Sequence, residues 1–184
     1  MTARWFYTLV GTAALLAGAG LWWATRPAAP VPTTPPIAAP SIGAAALYAT
    51  SFTDLDGRPQ ALGQFQGKLV VLNFWATWCA PCREEMPAFT RLQARWRSRG
   101  VQIVGVSDEE AGKVARFGHK LGINYPLWVG ASASELSRRL GNASGVLPHS
   151  AILDGSGRVL EQKVGPYNEA ELEAKLTAFV AKTS

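Results

Sequence analysis

Cysteine is scarce in this chain: two residues of 184, Cys79 and Cys82, three positions apart. That scarcity excludes a multi-disulfide scaffold. A four-thiolate zinc site is impossible within one chain, because the second pair of ligands is missing. Charge is also thin, at 17% of residues against 48% apolar, which argues for a real core and against wholesale disorder. No strong field of one sign exists either. Setting aside Arg4 and Arg26, which flank an apolar stretch, 18 − 2 leaves 16 basic against 13 acidic residues. Four of these, Arg91, Arg95, Arg97 and Arg99, fall near the expected end of one helix, where cations complement the dipole. With no nucleic-acid motif beside them, no nucleic-acid partner is expected. There is no dinucleotide fingerprint and no P-loop, so no cofactor is expected. Internal repeats are absent as well.

What is present divides into three parts: 1–25, 26–46 and 47–184. From Trp5 to Thr25 no residue is charged. Twenty-one residues at ~1.5 Å each span the hydrocarbon core of a bilayer, about 30 Å. Trp5, Phe6 and Tyr7 at one end and Trp22 with Trp23 at the other resemble interfacial belts. The rival reading is a cleaved signal peptide, with Leu9 to Leu16 as its apolar region and Ala17-Gly18-Ala19 as the cleavage site. Length and the tryptophan pair favour an uncleaved transmembrane helix. Both readings carry the rest of the chain across the membrane. Pro27, Pro30, Pro32, Pro35, Pro36 and Pro40 then mark a Pro/Ala-rich linker with an extended, polyproline-like bias.

The domain from Leu47 onward alternates strands with helices. Asp56-Gly57 predicts a hairpin within Phe52 to Leu62. Lys68 to Ala76 is an apolar run of strand length, followed by a helix from Pro81 to Arg99 with Met86, Phe89, Leu92 and Trp96 on one face. Gly100 stands where a C′ glycine belongs. Val101 to Ser107 is a second buried strand. A helix over Glu109 to Leu121, a strand over Tyr125 to Val129, and a short helix opened by a Ser132/Glu135 capping box and stopped at Gly141 follow. Strands at Ser150 to Asp154 and Val159 to Val164 join across Gly155-Ser156-Gly157. A last helix, capped by Asn168 with Glu171, presents Leu172, Leu176, Phe179 and Val180 inward. The pattern is α/β: a central mixed sheet flanked by helices, with an N-terminal β-hairpin extension and a separate N-terminal transmembrane helix.

The decisive segment is Trp78-Cys79-Ala80-Pro81-Cys82, between a buried strand and a helix. A helix's first turn has unpaired N–H groups and the positive end of the dipole, and so stabilises an anion. Cys79 at that end is expected to be exposed, with its pKa below the ordinary ~8.5. Cys82, one turn further in, is expected to be covered and to act as the resolving thiol. Pro81 suits an early helical position. A structural disulfide competes with this reading, but a loop of this size stabilises little. Metal ligation competes too, with His119, His149, Met1 and Met86 as the other candidate ligands, as does an accidental buried pair.

The run Asn73-Phe74-Trp75-Ala76-Thr77-Trp78-Cys79-Ala80-Pro81-Cys82-Arg83-Glu84-Glu85-Met86-Pro87 resembles the active-site signature of the TlpA-like and ResA-like branch of the thioredoxin superfamily. Gly67-Lys68, Gly105-Val106-Ser107-Asp108 and Ile152-Leu153-Asp154-Gly155 are similar to that branch as well, and the likeness runs from about Phe52 to the C-terminus. It implies a thioredoxin-like fold and a thiol:disulfide oxidoreductase, with Cys79 attacking and Cys82 resolving. It also implies an active-site acid at Glu85 and a cis-proline at Pro148 facing the disulfide, with Leu147 pairing with an extended substrate. For Glu85 the competing reading is a solvated helix carboxylate. This chain departs from the hydroxyl-rich version of the proline loop, with Leu147 before Pro148 and His149 after it. His149 reads either as an influence on thiol titration or, more commonly, as a partly exposed loop histidine. Asn73 stands where cytoplasmic thioredoxins bury an aspartate, so a proton relay falls to Glu85 or water.

The branch implies an extracytoplasmic, membrane-tethered reductase on the outer side of the cytoplasmic membrane. Its clients would be cysteine proteins such as apocytochrome c or a copper-site protein, and a membrane dithiol would supply the electrons. A thiol oxidant and a copper-handling module are the alternatives; a peroxidase lacks its Thr-x-x-Cys pattern here. Once the protein is reduced, Cys79 should be alkylated by iodoacetamide well below pH ~8.5 while Cys82 resists. Equal reactivity of the two would contradict the helix-terminus argument.

Overall fold

The computed structural model describes residues 42–183. The transmembrane reading of Trp5 to Thr25 and the first sixteen positions of the linker, 26–41, lie outside the described residues. The last linker positions lie inside them, and here the expectation is corrected. Ile42 is buried, and Ala44–Tyr48 form a short helix, α1, that sends Leu47 fully into the core. These apolar side chains pack with Phe65 and Leu72, so residues 42–46 belong with the folded part.

Seven strands make one sheet: β1 (Ser51–Thr53), β2 (Pro59–Ala61), β3 (Leu69–Phe74), β4 (Val101–Ser107), β5 (Leu127–Val129), β6 (His149–Leu153) and β7 (Val159–Val164). Their order is β2-β1-β5-β4-β3-β6-β7. β3 lies parallel to β4, and β4 to β5, whereas β6 runs antiparallel to β3 and β7 antiparallel to β6. The expected N-terminal hairpin is β1–β2, joined to β5 at Thr53↔Val129. The helices are α1, α2 (Ala80–Trp96), α3 (Ala111–Lys120), α4 (Ser132–Arg139) and α5 (Glu169–Thr183). This is a thioredoxin-like α/β fold.

The six residues of β3 are all buried, because neighbours flank the strand on both edges and helices cover both faces. Side-chain alternation divides them between two cores. Leu69 and Val71 join α2, α3 and α5 through Met86, Phe89, Leu92, Val114, Leu172 and Leu176. Val70, Leu72 and Phe74 join α1 and α4 on the other face through Leu47, Leu136 and Leu140. The stripe read from the sequence of α2 is therefore the inner face of that helix. Gly100, with φ of 78°, ends its 3₁₀ extension over Arg97–Arg99. Gly105 in β4 has no room for a side chain, since a Cβ there would stand 2.7 Å from a Leu127 methyl and 3.0 Å from the Trp75 indole nitrogen.

Two capping expectations part ways. Asn168 accepts the Glu171 backbone N–H at 2.8 Å, as the sequence suggested. The Ser132 hydroxyl instead donates to the Ser51 carbonyl of β1 at 3.0 Å, and α4 opens without a side-chain cap. A tertiary acceptor outcompetes the local one. The arginines at the end of α2 are engaged within the domain: Arg91 and Arg95 pair with Glu169 and Glu173 of α5, and Arg97 donates to the Asn124 carbonyl. Among the described residues, no helix is long and apolar enough to cross a membrane.

Leu92 is fully buried at the centre of the first core. Leu92→Ala should cost about 3 kcal/mol, read as a lower urea midpoint with an unchanged slope.

Candidate functional site

β3 ends at Phe74, and the chain crosses residues 75–79 before α2 begins. Two side chains pin this crossing. Glu109 accepts the Thr77 backbone N–H at 2.5 Å and its hydroxyl at 2.9 Å, while Arg83 donates to the Thr77 carbonyl at 3.3 Å. Glu109 also pairs with Lys113. Burial raises its pKa, but Lys113 and the Thr77 donors outweigh that and hold it below the ordinary carboxylate range. Sequence reading missed Glu109 as a site residue; its only local signal was the Glu–Lys spacing of four.

Cys79 is the N-cap of α2, and its sulfur accepts the Cys82 backbone N–H at 3.3 Å. It thus stands at the positive end of the helix with no acidic residue in the first turn. Cys79 and Cys82 are joined as a disulfide, with an S–S distance of 2.04 Å. Cys82 is fully buried, as expected. Cys79 is not the exposed residue that was expected, for only 4% of its surface is open. It packs in the first core with Trp75, Ala76 and Met86, and Leu147 lies against that cluster. The open neighbour is Trp78, at 68% exposure.

Pro148 arrives from the other side of the sheet centre. The Leu147–Pro148 bond is cis. His149 pairs with Phe74 in the β3–β6 register, so Pro148 lies one step past the end of β3, where the 75–79 crossing departs. The sheet therefore brings Cys79, Cys82 and Pro148 to one end.

Glu85 joins them from inside. It is 3% exposed, which overturns the solvated-carboxylate reading. Its Oε1 accepts from the Asn73 side-chain amide at 2.7 Å, and its Oε2 accepts from the Tyr167 backbone N–H at 2.9 Å. The Asn73 amide also donates to the Ser150 hydroxyl at 3.1 Å. Burial pushes Glu85 up to about 7; the Tyr167 and Asn73 hydrogen bonds, with the Lys163 cation, only partly oppose it. Tyr167 and Ser150 are site residues with no sequence signal, since both reach Glu85 or Asn73 only through tertiary packing.

His149 needs a correction. It is neither an exposed loop histidine nor a neighbour of the thiols. As the first residue of β6 it is fully buried, stacked on Phe74 at 5.3 Å between centroids, in the core opposite the sulfurs. Ser137 Oγ lies 3.0 Å from its Nδ1. Asn142 donates to that same hydroxyl at 3.0 Å, so Ser137 is held between the ring and the proline loop. Burial lowers the His149 pKa to about 4, so the ring is neutral near pH 7. Asn142 also clamps the proline loop, accepting the Val146 N–H at 3.2 Å and donating to the Val146 carbonyl at 2.9 Å. For metal ligation, the described residues hold no cluster of three or more His, Cys, Asp or Glu side chains.

Residues 38–176 match the redoxin family model. The chain belongs to the redoxin family. It is 35% identical over 127 residues to the thiol-disulfide oxidoreductase ResA of Bacillus thuringiensis (strain Al Hakam), covering 67% of this chain and 70% of that protein. It is 32% identical over 130 residues to the thioredoxin-like protein YneN of Bacillus subtilis (strain 168), covering 68% and 74%. A crystal structure of a thiol:disulfide interchange protein from Chlorobium tepidum TLS superposes with a TM-score of 0.62 at 32% identity, over 71% of this chain and 92% of that one. This redoxin is a thiol-disulfide oxidoreductase of the ResA type, a class that works without an added cofactor.

The buried carboxyl makes stability depend on pH. The folded state holds the Glu85 proton up to about pH 7, whereas the unfolded chain releases it near 4.5. Between those values the folded state binds more protons, so stability is full below the lower one and falls as pH rises through the upper. The loss should approach roughly 3 kcal/mol by pH 8 at 1.36 kcal/mol per unit. Glu85→Gln should flatten this decline in urea titrations at pH 4, 6 and 8; an equally steep decline in the variant would show that another group causes it.

Proposed function

We propose that this redoxin reduces disulfides in partner proteins outside the cytoplasm, with Cys79 as nucleophile and Cys82 as resolving thiol. One observation carries the reading: Cys79 caps the amino end of α2 and accepts an amide N–H there, the arrangement that favours a thiolate. The Cys79 thiolate attacks one sulfur of the client disulfide, forming a mixed disulfide and releasing the first client thiolate. The Cys82 thiol passes its proton to Glu85 and attacks Cys79 Sγ, releasing the second client thiolate and closing the 79–82 bond. The client gains two electrons, and its two thiolates are protonated by the proton Glu85 took from Cys82 and by the one Cys79 gave to solvent on ionising. A dithiol donor then reverses the exchange on the oxidised protein, whose bonded pair is the form described above.

Glu85 suits the proton step because burial sets its pKa near 7, where a carboxyl can both accept and return a proton. Asn73 serves either state: its amide donates to the carboxylate, and turned over it would offer Oδ1, a buried atom without a partner, to the acid. Pro148 walls the disulfide, and the Leu147 backbone is the edge along which a client segment lies.

The 21 uncharged residues from Trp5 to Thr25 support a single-pass anchor in the cytoplasmic membrane, with the folded part from Ile42 on the extracytoplasmic side of the Pro/Ala-rich linker. A tether suits a membrane dithiol donor and membrane-associated clients, such as an apocytochrome c or a copper-site protein. The relatives named for thiol-disulfide exchange support the chemistry.

Expression of full-length Cys82→Ser in the native host should leave clients covalently trapped on Cys79 in the membrane fraction, released by dithiothreitol and absent from Cys79→Ser. The dithiol–disulfide potential should lie well below −150 mV, toward thioredoxin's about −270 mV. A value above −150 mV would replace the reductase with an oxidant.

A further inference from the structure

A groove of about 320 Å³ lies between the 75–79 crossing and α3. Its lining is Thr77, Phe117 and four cations: Arg83 from α2, and Lys113, Arg116 and Lys120 from α3. No carboxylate is among the lining residues. Positions 113, 116, 117 and 120 share one face of a helix, three and four residues apart. The Phe117 ring packs on Trp75 at 5.5 Å between centroids, which turns that face toward the crossing.

On a helix surface a cation three or four residues from another cation destabilises the helix, and a carboxylate there relieves it. Arg91, Arg95, Arg138, Arg158, Lys163 and Lys175 each hold such a carboxylate elsewhere on this domain. The groove is different. Arg116 stands three residues after Lys113 and four before Lys120, and both Arg116 and Lys120 are exposed. No carboxylate among the described residues pairs with either of them. Glu109 pairs with Lys113, but its oxygens are shared with the Thr77 amide and hydroxyl. Arg83 contacts a carbonyl, which leaves its charge unbalanced. The fold therefore carries a positive field at this place with no internal counter-charge, and an anion from outside would balance it.

Position narrows what that anion belongs to. Thr77 is two residues before Cys79. α3 links β4 to β5, on the side of β3 away from β6, so the groove and Pro148 flank the sulfurs from opposite sides. A segment that lies along Leu147 and continues past the sulfur of Cys79 runs on toward the groove. The cation face from Lys113 to Lys120 is about 10 Å long at ~1.5 Å per residue. Three residues of extended chain, at ~3.3 Å each, match that length.

We infer that this groove docks an acidic segment of the client, a run of carboxylates within three to six positions of the cysteine being reduced. The inference rests on the reductase reading above and adds a charge requirement remote from the sulfur.

The test uses pre-reduced full-length protein in detergent and symmetrical peptide dimers joined by one disulfide. Each peptide carries three Glu or three Gln at positions three to six from the cysteine, on its amino or its carboxyl side. Protein dithiol plus peptide disulfide gives protein disulfide plus two peptide thiols, followed by tryptophan fluorescence under single-turnover conditions. On one side the Glu dimer should react at least about tenfold faster than the Gln dimer at low salt, falling below about twofold in high salt. Arg116→Glu and Lys120→Glu should each bring the low-salt ratio below about threefold; two variants are used so that misfolding of one leaves the other to decide. Arg99→Glu changes the net charge equally beyond the far end of α2 and should keep the ratio. A ratio under about tenfold on both sides in the unmodified protein, one above threefold in a folded groove variant, or an equal loss in Arg99→Glu would overturn the groove as a docking site. Slower acetylation of Lys113 and Lys120 in phosphatidylglycerol nanodiscs, with no preference for Glu dimers, would assign the groove to lipid headgroups and overturn the protein partner. Failure of the unmodified protein to reduce any of the dimers would instead overturn the reductase reading.

Discussion

Parallel strands cannot be joined by a tight turn, and that constraint places the chemistry. β3 and β4 run side by side in the same direction, so the chain must leave the top of β3, cross one face as a helix and return to start β4. The helix that does this is α2, and its amino end necessarily sits at the carboxyl end of β3. Unpaired N–H groups and the positive dipole end are therefore delivered to the sheet edge whatever the side chains are. Cys79 uses that position as the cap. The antiparallel partner β6 starts at the same edge, so Pro148 reaches it by register and not by a separate device. Glu109 and Arg83 then hold Thr77, fixing the short crossing between strand and sulfur.

A carboxyl inside the first core runs against the folding energetics of its neighbours. Glu85 replaces what could be another apolar contact beside Met86 and Phe89, and two of its hydrogen-bond donors are supplied by segments far from it in sequence, Asn73 and Tyr167. Burial costs the charged form more than those donors return, which is why the pKa rises instead of falling. The same desolvation keeps the group near neutrality, where either protonation state is accessible. A surface carboxylate with its pKa near 4.5 would be ionised throughout the working range and a poor proton carrier.

The elements that sequence made legible are those specified by short-range pattern. The apolar run of β3, the stripe Met86, Phe89, Leu92 and Trp96, Gly100 at the helix end and the Asn168 cap all emerged where expected, and so did the cysteine pair at a strand–helix junction. What escaped depends on contacts between distant segments. Whether Glu85 is solvated is decided by the backbone at Tyr167, 82 residues away. The Ser132 hydroxyl has two possible acceptors, and the tertiary one wins from 81 residues away. Cys79 was read as open because helix ends are usually open, yet the bonded sulfurs, Trp75 and Leu147 close over it.

His149 shows how strand alternation sorts such residues. One position separates it from Ser150, and that step carries the two side chains to opposite faces. Ser150 turns toward Asn73 and the carboxyl of Glu85, while His149 turns toward Phe74, Ser137 and Asn142. The proline loop is thus gripped from the core that does not contain the sulfurs. Proton-handling groups lie in one core, and the groups shaping the adjoining surface lie in the other, with a single layer of strands between them. A substitution around Ser137 or Asn142 therefore acts on the proline loop from a core that does not contain Cys82 and Glu85.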